Sequence, residues 1–323
     1  MSKIFKNYPE IMDELEDVKK IMKKSIRSSE KYFDEAISPM IDNGGKLLRP
    51  GFLILSGKFG SYEKDRFNNL AAVIELLHMA TLVHDDIIDE SNLRRNTESI
   101  QSKYGKEYAV YTGDYLFSQC LIMLSEYDYD KESLKNISKV ISKICLGEIK
   151  QFNFRYATDM NFRKYVRIAS GKTAALFSLS LYVGAKESKC EESITKTFAK
   201  IGYNIGMAFQ IIDDLLDYKG DNKSLGKEAQ RDLIKGYYTL PLIFAINKDK
   251  NNDIRRILNS DILDDNDIEK ILELVNKYEG VKKARNVAKK YTFRAYDNIE
   301  KLPDCKWKNV IKEIAKGLLE RKY

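Results

Sequence analysis

The sequence predicts an all-α fold, a single-domain bundle of long helices around a central cavity. Only five prolines occur in 323 residues, and none lies in the stretch 51–240, so most of the chain lacks the strongest helix breaker. Apolar residues recur at spacings of three and four, as in Leu70, Val73 and Leu77, which places them on one helix face. Strand-like alternation is rare. We therefore expect one helical domain over residues 1–323.

Similar periodic runs predict the helices that follow. They are expected over 107–126, 133–154, 162–185, 193–218, 239–247, 264–277, 279–299 and 305–321. No linker, repeat array or low-complexity tract interrupts these runs, which supports a single domain.

The composition fits a globular protein with a substantial core, since 43% of residues are hydrophobic and 32% are charged. The net charge of +7 comes from 55 basic and 48 acidic residues spread along the chain, so we expect no nucleic-acid partner. The N-terminus has no apolar signal core and no window is long enough to span a bilayer, which predicts a cytoplasmic location. The four cysteines follow no metal-ligand spacing and are expected to be free, mostly buried thiols.

A cluster of acids follows an apolar helix at Asp85, Asp86 and Asp89. Asp85 and Asp89 are one turn apart on the same helix face, and like charges at that spacing are unfavourable unless a cation joins them. Magnesium prefers oxygen ligands, but it usually takes one or two carboxylates and completes its shell with water and phosphate oxygens. The cluster therefore predicts a magnesium site for a phosphorylated ligand.

The same pattern returns at Asp213, Asp214 and Asp217, again at the end of an apolar run. One such cluster is often only a solvated helix end. Two such clusters facing each other across a cavity can hold several metal ions around one diphosphate. We favour this interpretation over that of two solvated helix ends.

Two other metal sites are excluded by spacing. Glu75 and His78 match half of a carboxylate-bridged diiron site, but a second Glu-x-x-His is absent from the sequence. A calcium loop over 217–228 would place Lys219 at the third position and Asn222 where glycine is required.

Cations accompany the acids. Gly45, Lys46 and Arg49 stand at an expected helix start, where glycine lets backbone amides approach an anion and the helix dipole favours it. Arg94 and Arg95 follow the first cluster in a polar segment that should leave the helix, from which they could reach back over the metals.

Two lysines complete this set. Lys172, beside Thr173, lies among small and apolar residues where an unpaired charge would be costly, and Lys227 closes the polar stretch after the second cluster. Together the cations supply enough charge for two diphosphates.

The chain resembles a known family, the trans-isoprenyl diphosphate synthases, over nearly its whole length. The segments that carry the resemblance, in the family's order, are GGKLLRP, ELLHMATLVHDDIIDESNLRR, YTGDYLF, CLGEIKQ, SGKTAALF, MAFQIIDDLLD, LGKEAQRDL and TLPLIFA. Within the family it is most similar to catalytic subunits of bacterial heptaprenyl diphosphate synthase. The resemblance implies the isoprenoid synthase fold and about three magnesium ions per active site.

The resemblance also implies roles for single residues. Asp85, Asp86 and Asp89 would hold two magnesium ions, and Asp213 with its cluster a third. Arg94, Lys172 and Lys227 would assist with the allylic diphosphate. The isopentenyl diphosphate site would comprise Lys46, Arg49, His78 and Arg95. Thr173 and Gln210 would line the reaction centre.

The implied reaction needs no side-chain base. The diphosphate of an allylic substrate such as farnesyl diphosphate departs, the double bond of isopentenyl diphosphate attacks, and the released diphosphate takes the proton; the chain has only two histidines. One departure from the family is Tyr237, where many relatives carry lysine. Because long-chain relatives can also lack that lysine, its loss does not predict inactivity.

Product length is predicted from the residues one and two turns before Asp85. A growing chain must pass them, and each turn is about 5.4 Å long. Short-chain relatives place an aromatic ring four or five residues before the first Asp, whereas Thr81 and Ala80 stand here. With Leu77 also flexible, we expect a product of about thirty to forty carbons, limited by a bulkier neighbour such as Phe117.

Burial of such a tail is worth about 0.8 kcal/mol per carbon, so release should limit turnover and be helped by peripheral contact with a membrane or by a partner. The catalytic form is expected to be a homodimer or a heterodimer with a small accessory subunit. Three alternatives stay open: a class I terpene cyclase, which has no use for a second substrate site; a noncatalytic subunit, which should have lost acids; and a helical scaffold, which leaves the clusters unexplained.

Overall fold

The computed structural model describes residues 4–28, 30–43, 45–94, 97–216, 218, 232–260 and 263–319. Within these ranges the chain is helical apart from its connections and a single two-stranded β-pair. The all-α class predicted from the sequence is confirmed.

The elements follow one another with short connections. In chain order they are α1 (Pro9–Ser25), α2 (Lys31–Asp42), α3 (Leu48–Gly57), α4 (Lys64–Ile88), β1 (Leu93–Arg94), β2 (Thr97–Glu98), α5 (Ile100–Tyr104), α6 (Lys106–Ser125), α7 (Lys131–Asn153), α8 (Phe162–Ala169), a π-helical turn (Ser170–Ala174), α9 (Ala175–Glu187), α10 (Glu192–Leu216), α11 (Leu240–Lys248), α12 (Asp253–Leu258), α13 (Asp265–Lys277), α14 (Gly280–Glu300) and α15 (Lys306–Leu319).

Most predicted helices are confirmed to within a few residues at each end. The main difference lies in the run predicted over 162–185, where the π-helical turn separates α8 from α9. The β1–β2 pair was also not predicted, because strands of two residues are too short to show an alternation.

The chain divides into two compact units. The first takes in the described residues within 1–136, 180–196 and 305–307, and the second those within 137–179, 197–304 and 308–323. The single domain over 1–323 stays a prediction.

The first unit is built on α4, whose side chains are nearly all buried over 67–77. A helix that is apolar on all sides requires neighbours on all sides, and α4 packs on α1, α3 and α6. Each buried leucine, isoleucine or valine contributes about 1.5–3 kcal/mol. The packing therefore fixes the helix whose last turn carries Asp85 and Asp86.

In the second unit, α10 lies very close to the segment 170–177. A Cβ atom added to Gly206 would lie 2.6 Å from Ala174 Cα, and one added to Gly202 would lie 2.4 Å from the carbonyl oxygen of Phe177. Only glycine allows this approach. It brings Gln210, one turn after Gly206, next to Thr173.

One expectation about the cysteines is wrong. All four thiols are free as predicted, but Cys145 and Cys305 are exposed and only Cys120 is fully buried. Both exposed thiols lie on or beside helix surfaces, which residue type does not reveal. None of the helices in the described ranges combines the length and hydropathy needed to cross a membrane.

Candidate active site

The first acidic cluster lies where α4 ends, in the first unit. Asp85 is in the last turn and Asp89 is the C-cap residue, so the chain leaves the helix at the cluster as predicted. Asp85 and Asp89 are half-exposed, and the Asp89 N–H donates to the Asp85 carbonyl oxygen at 2.8 Å. Their carboxylates therefore stand one turn apart where a ligand can reach them.

Asp86, by contrast, is buried and held by Arg94. The Arg94 Nε donates to Oδ1 and Oδ2 of Asp86 at 3.0 and 3.1 Å, and its Nη2 also donates to Oδ1. The Asp86 side chain is 5% exposed and that of Arg94 is 31% exposed. A guanidinium fork on a carboxylate is a strong, directional contact. Arg94 thus lies against the first acidic cluster, while its predicted reach over bound metals stays a prediction.

The β1–β2 pair explains how Arg94 returns. Arg94 pairs with Thr97 across the two strands, and the Thr97 hydroxyl donates to the Arg94 carbonyl oxygen at 2.6 Å. The base of this loop is closed on the Ser91 carbonyl oxygen, which accepts from the Gln101 amide at 2.8 Å and the Ser99 hydroxyl at 2.5 Å. These bonds join the residues that follow β2 to the connection between α4 and β1.

A cavity of about 260 Å³ lies beside the Asp86–Arg94 pair. Its apolar lining includes Met79 and Leu82 of α4 and Ile100 of α5, and Asp86 and Arg94 form part of its polar wall. All its lining residues belong to the first unit. Because Asp86 borders the cavity, a small molecule there would lie beside the first acidic cluster.

His84 fixes the last turn of α4 against α6. A Cβ atom added to Gly113 would lie 2.3 Å from the His84 Nε2, so the imidazole fills the notch that this glycine leaves. The same nitrogen is 3.3 Å from the Val110 carbonyl oxygen and 3.4 Å from Asp114. The residue before Asp85 is thereby anchored to a second helix.

The described members of the predicted isopentenyl diphosphate site also lie in the first unit. Gly45 and Lys46 stand in the connection between α2 and α3, and Arg49 is in the first turn of α3. The predicted helix start is confirmed. Lys46 is exposed and Arg49 is half-buried, as is His78, whose carbonyl oxygen accepts from the Thr81 hydroxyl at 2.8 Å.

In the second unit, the two described acids at the end of α10, Asp213 and Asp214, differ in exposure. Asp213 is exposed, whereas Asp214 is 6% exposed. The Asp214 Oδ2 accepts from the Tyr165 hydroxyl at 2.5 Å, and its Oδ1 accepts from the Gln210 Nε2 at 2.8 Å. Burial raises the pKa of Asp214 to about 6, although both hydrogen bonds lower it. Asp213 is thus the accessible carboxylate of the pair.

The hydrogen bonds continue from Asp214 to Thr173. The Gln210 Oε1 accepts from the Thr173 hydroxyl at 2.5 Å, so Thr173, Gln210, Asp214 and Tyr165 form one chain of side chains. The structure therefore brings together the two residues that were predicted to line the reaction centre.

Lys172 is presented by the π-helical turn at 170–174, a feature often found at functional sites. Its Nζ lies 3.1 Å from the Glu148 carboxylate. The turn approaches α7 closely, since a Cβ atom on Gly171 would lie 3.1 Å from Gly147 Cα. The Glu148 carboxylate therefore balances the positive charge of Lys172, which the sequence places among apolar residues.

The three predicted chain-length residues differ in accessibility. Thr81 is half-exposed, while Leu77 and Ala80 are 2% and 0% exposed. Phe117 is half-buried, with its ring 5.8 Å from the His84 ring. Their effect on product length stays a prediction.

Several predicted residues fall outside the described ranges. They are Arg95, Asp217 and Lys227. Tyr237, which replaces the usual lysine, is described: its N–H donates to the Asp232 carbonyl oxygen at 2.8 Å, and the Arg155 guanidinium lies 5.2 Å from its ring centre.

The oxygen donors at the two helix ends suit magnesium. Across the described residues, no three His, Cys, Asp or Glu side chains converge as a group able to hold a metal ion. Magnesium takes few carboxylates and completes its shell with water and phosphate oxygens. The exposed Asp213 and the half-exposed Asp85 and Asp89 fit that requirement.

Sequence reasoning missed two polar residues of this region, Tyr165 and Glu148. Tyr165 lies seven residues before Lys172, a spacing of two helical turns, and Glu148 belongs to the segment CLGEIKQ that carried the resemblance. Those signals could have identified both residues, but neither signal reveals that Tyr165 bonds to Asp214 or that Glu148 pairs with Lys172.

The all-α fold is that of the isoprenoid synthases. A sequence model of the polyprenyl synthetase family matches residues 30–275, and the chain belongs to that family. It is a prenyltransferase.

Relatives cover nearly the whole chain. It is 33% identical over 316 residues to heptaprenyl diphosphate synthase component 2 of Bacillus subtilis, covering 98% of this chain and 90% of that protein. It resembles the crystal structure of geranylgeranyl pyrophosphate synthase from Lactobacillus brevis with a TM-score of 0.95 and 32% identity, covering 99% of each chain. For heptaprenyl diphosphate synthase from Staphylococcus aureus the TM-score is 0.89, with 33% identity over 96% of this chain and 98% of that one.

Proposed function

We propose that the chain is a magnesium-dependent trans-polyprenyl diphosphate synthase, which condenses isopentenyl diphosphate with an allylic diphosphate to a product of about thirty to forty carbons. The observation that carries this proposal is the accessible carboxylates at two helix ends, Asp85 with Asp89 and Asp213, each accompanied by a cation-bearing segment. Two relatives described as heptaprenyl diphosphate synthases support the long product.

Magnesium would be held by oxygen atoms of both clusters, about three ions per site. The predicted ligands are Asp85, Asp86, Asp89, Asp213, Asp214 and Asp217. When bound, the ions stabilise negative charge on the departing diphosphate. Asp85, Asp89 and Asp213 are the accessible members among the described residues, and they are the strongest candidates for direct contact.

The cations of the chain would bind the two substrates. Arg94, Lys172 and Lys227 contact the allylic diphosphate. Lys46, Arg49, His78 and Arg95 contact the diphosphate of isopentenyl diphosphate, with the Gly45 backbone beside them. In the described structure Arg94 and Lys172 are paired with Asp86 and Glu148, so these carboxylates hold both cations in place before a substrate arrives.

The reaction follows from electrostatics. The C–O bond of the allylic diphosphate breaks and its electron pair leaves with the diphosphate; the alkene of isopentenyl diphosphate then forms the new C–C bond, and the released diphosphate takes the proton. Thr173 and Gln210 present oxygen atoms beside the developing allylic cation. Their hydroxyl and amide are held in one arrangement by hydrogen bonds, which suits a preorganised site.

Small or flexible residues at Leu77, Ala80 and Thr81 set the long product, because no aromatic ring stands one turn before Asp85. Thr81 is the accessible member, and a lengthening tail would meet it first.

A partner chain completes the proposal, either a second copy or a small accessory subunit. The surface of α6 supports this, since Tyr111, Leu121 and Ile122 are 74%, 66% and 53% exposed. Large apolar side chains exposed together on one helix are typical of an interface. We place the enzyme in the cytoplasm, with peripheral membrane contact assisting release of its apolar product.

The test is to incubate the purified chain with magnesium, farnesyl diphosphate and labelled isopentenyl diphosphate, and to separate products by length. A discrete product of about thirty to forty carbons supports the proposal. Label-free cyclised hydrocarbons from farnesyl diphosphate alone would indicate a terpene cyclase. Magnesium-dependent binding of farnesyl diphosphate without incorporation would assign the chain to a complex with an accessory subunit.

A further inference from the structure

Tyr165 is a buried tyrosine whose hydroxyl bonds to a carboxylate of the second acidic cluster. It is 6% exposed, and its hydroxyl donates to the Asp214 Oδ2 at 2.5 Å. A buried carboxylate is unfavourable unless donors satisfy it. Tyr165 therefore stabilises Asp214 inside the second unit, one residue after the exposed Asp213.

Asp214 in turn decides which way the Gln210 amide points. Its Oδ1 accepts from the Gln210 Nε2 at 2.8 Å, and an acceptor-only carboxylate cannot pair with the amide oxygen. The Gln210 Oε1 is therefore turned towards the Thr173 hydroxyl, at 2.5 Å. Each bond in this chain has one possible donor and one possible acceptor while Asp214 is ionised.

We propose that Tyr165 is a positioning residue for the prenyl-transfer centre: it holds Asp214 so that Gln210 keeps its oxygen towards Thr173. The inference rests on the proposed function, in which Thr173 and Gln210 face the allylic cation. It also gives Asp214 a supporting role, since both its oxygens accept hydrogen bonds from the Tyr165 hydroxyl and the Gln210 amide. Among the described residues of this helix end, Asp213 is then the candidate for direct contact with magnesium.

The physical consequence of losing the hydroxyl is a loss of order. Asp214 without its Oδ2 donor gains a second arrangement, and the Gln210 amide can then turn its nitrogen towards Thr173. The oxygen that should face positive charge is replaced by a donor for part of the time. Because the diphosphates are bound by other residues, the cost falls on turnover rather than on substrate affinity.

The variant that tests this is Tyr165→Phe, with Tyr129→Phe as its control. Tyr129 is 3% exposed and lies in the first unit, and its hydroxyl can donate to Asn69 Oδ1 or to the Arg66 carbonyl oxygen, each at 3.1 Å. Both changes remove one buried, hydrogen-bonded hydroxyl. We expect Tyr165→Phe to lower kcat about tenfold or more with both KM values changed less than about twofold, and Tyr129→Phe to leave both within about twofold of the parent.

A second variant tests the same chain of bonds from its middle. Asp214→Asn keeps the size of the side chain, and we expect it to lower kcat while the magnesium concentration for half-maximal rate stays that of the parent. A direct ligand would instead raise that concentration several-fold, and such a result would overturn the supporting role.

A double-mutant cycle then tests whether Tyr165 acts through Gln210. In a Gln210→Met background the chain is already broken, so adding Tyr165→Phe should lower kcat by less than about twofold further. Multiplicative losses would overturn the inference. Thermal unfolding gives a readout without turnover: the Tyr165→Phe and Asp214→Asn effects on stability should be non-additive.

Failure of the inference differs from failure of the proposed function. If the parent chain makes no prenyl product alone or with an accessory subunit, the proposed function fails and this inference fails with it. If the parent is active and Tyr165→Phe matches Tyr129→Phe in kcat, only the inference is overturned.

Discussion

The substitution Gly113→Ala should both destabilise the chain and slow it, because the new methyl group would occupy the place of the His84 ring. The added Cβ atom would lie 2.3, 2.6 and 2.8 Å from Nε2, Cδ2 and Cε1 of that ring. Real contacts of this kind are near 3.5–4.0 Å, so the ring must move by about 1 Å or more. His84 immediately precedes Asp85, and its movement is passed to the acidic end of α4.

The magnitude follows from two opposing effects. Alanine in a helix interior is favoured over glycine by about 1 kcal/mol, while overpacking a filled site costs about 1–3 kcal/mol. Because three ring atoms are within 3 Å and the ring is held by the Val110 carbonyl oxygen, we take the upper part of that range. The expected net loss is about 1–2 kcal/mol in the free energy of unfolding.

The assay is urea unfolding together with prenyl transfer, and Gly317→Ala on α15 is the matched control. Among the described residues, a Cβ atom on Gly317 meets no other atom within 4 Å, so this change should stabilise the chain by up to about 1 kcal/mol. In a His84→Ala background the clash is gone, and Gly113→Ala should then behave like the control. The reasoning is refuted if Gly113→Ala alone stabilises as much as Gly317→Ala and leaves kcat unchanged.

Three further predictions concern other parts of the site. Arg94→Lys keeps the charge but loses the two-pronged contact with Asp86, and we expect kcat/KM for the allylic substrate to fall about tenfold; an unchanged value would contradict the role of the fork. Ala80→Phe should shorten the product by at least one prenyl unit on chromatography, and unchanged length would show that the tail does not pass this position. Burial raises the pKa of the Cys120 thiol to about 12, so alkylation at pH 8 followed by mass spectrometry should label Cys145 and Cys305 first and Cys120 only after unfolding; early labelling of Cys120 would contradict its burial.

Much of the fold could be predicted because long helices show a regular spacing of apolar residues in the sequence. The predicted run 193–218 became α10, and the predicted run 107–126 became α6. The C-terminal end of α4 was also predicted from the acidic cluster, and the start of α3 from the glycine pair that precedes it. In these places local composition and tertiary packing favour the same backbone.

Other features depend on single contacts that composition does not encode. The π-helical turn at 170–174 differs from an α-helix by one residue in its hydrogen-bond spacing, so its apolar pattern is nearly the same. The β1–β2 pair is held by bonds to the Ser91 carbonyl oxygen rather than by an apolar face. The exposure of Cys145 depends on which side of α7 meets a neighbour.

The candidate site shows the same division. The acids and cations could be chosen from spacing and charge, but their pairing could not. Asp86 with Arg94, and Asp214 with Tyr165, are buried pairs in which one member satisfies the other. Only the folded chain shows that Asp85, Asp89 and Asp213 are left accessible.

The central claim is that the two acidic helix ends serve one reaction. The most direct test compares Asp85→Asn, Asp213→Asn and their combination with Asp265→Asn, an acid at the start of α13 outside the site, in magnesium-dependent incorporation of isopentenyl diphosphate. We predict that each single change at the site lowers kcat by about 100-fold or more, that the combination is little worse than either alone, and that Asp265→Asn keeps the parent rate. Parent-like turnover by Asp85→Asn or by Asp213→Asn would contradict the account.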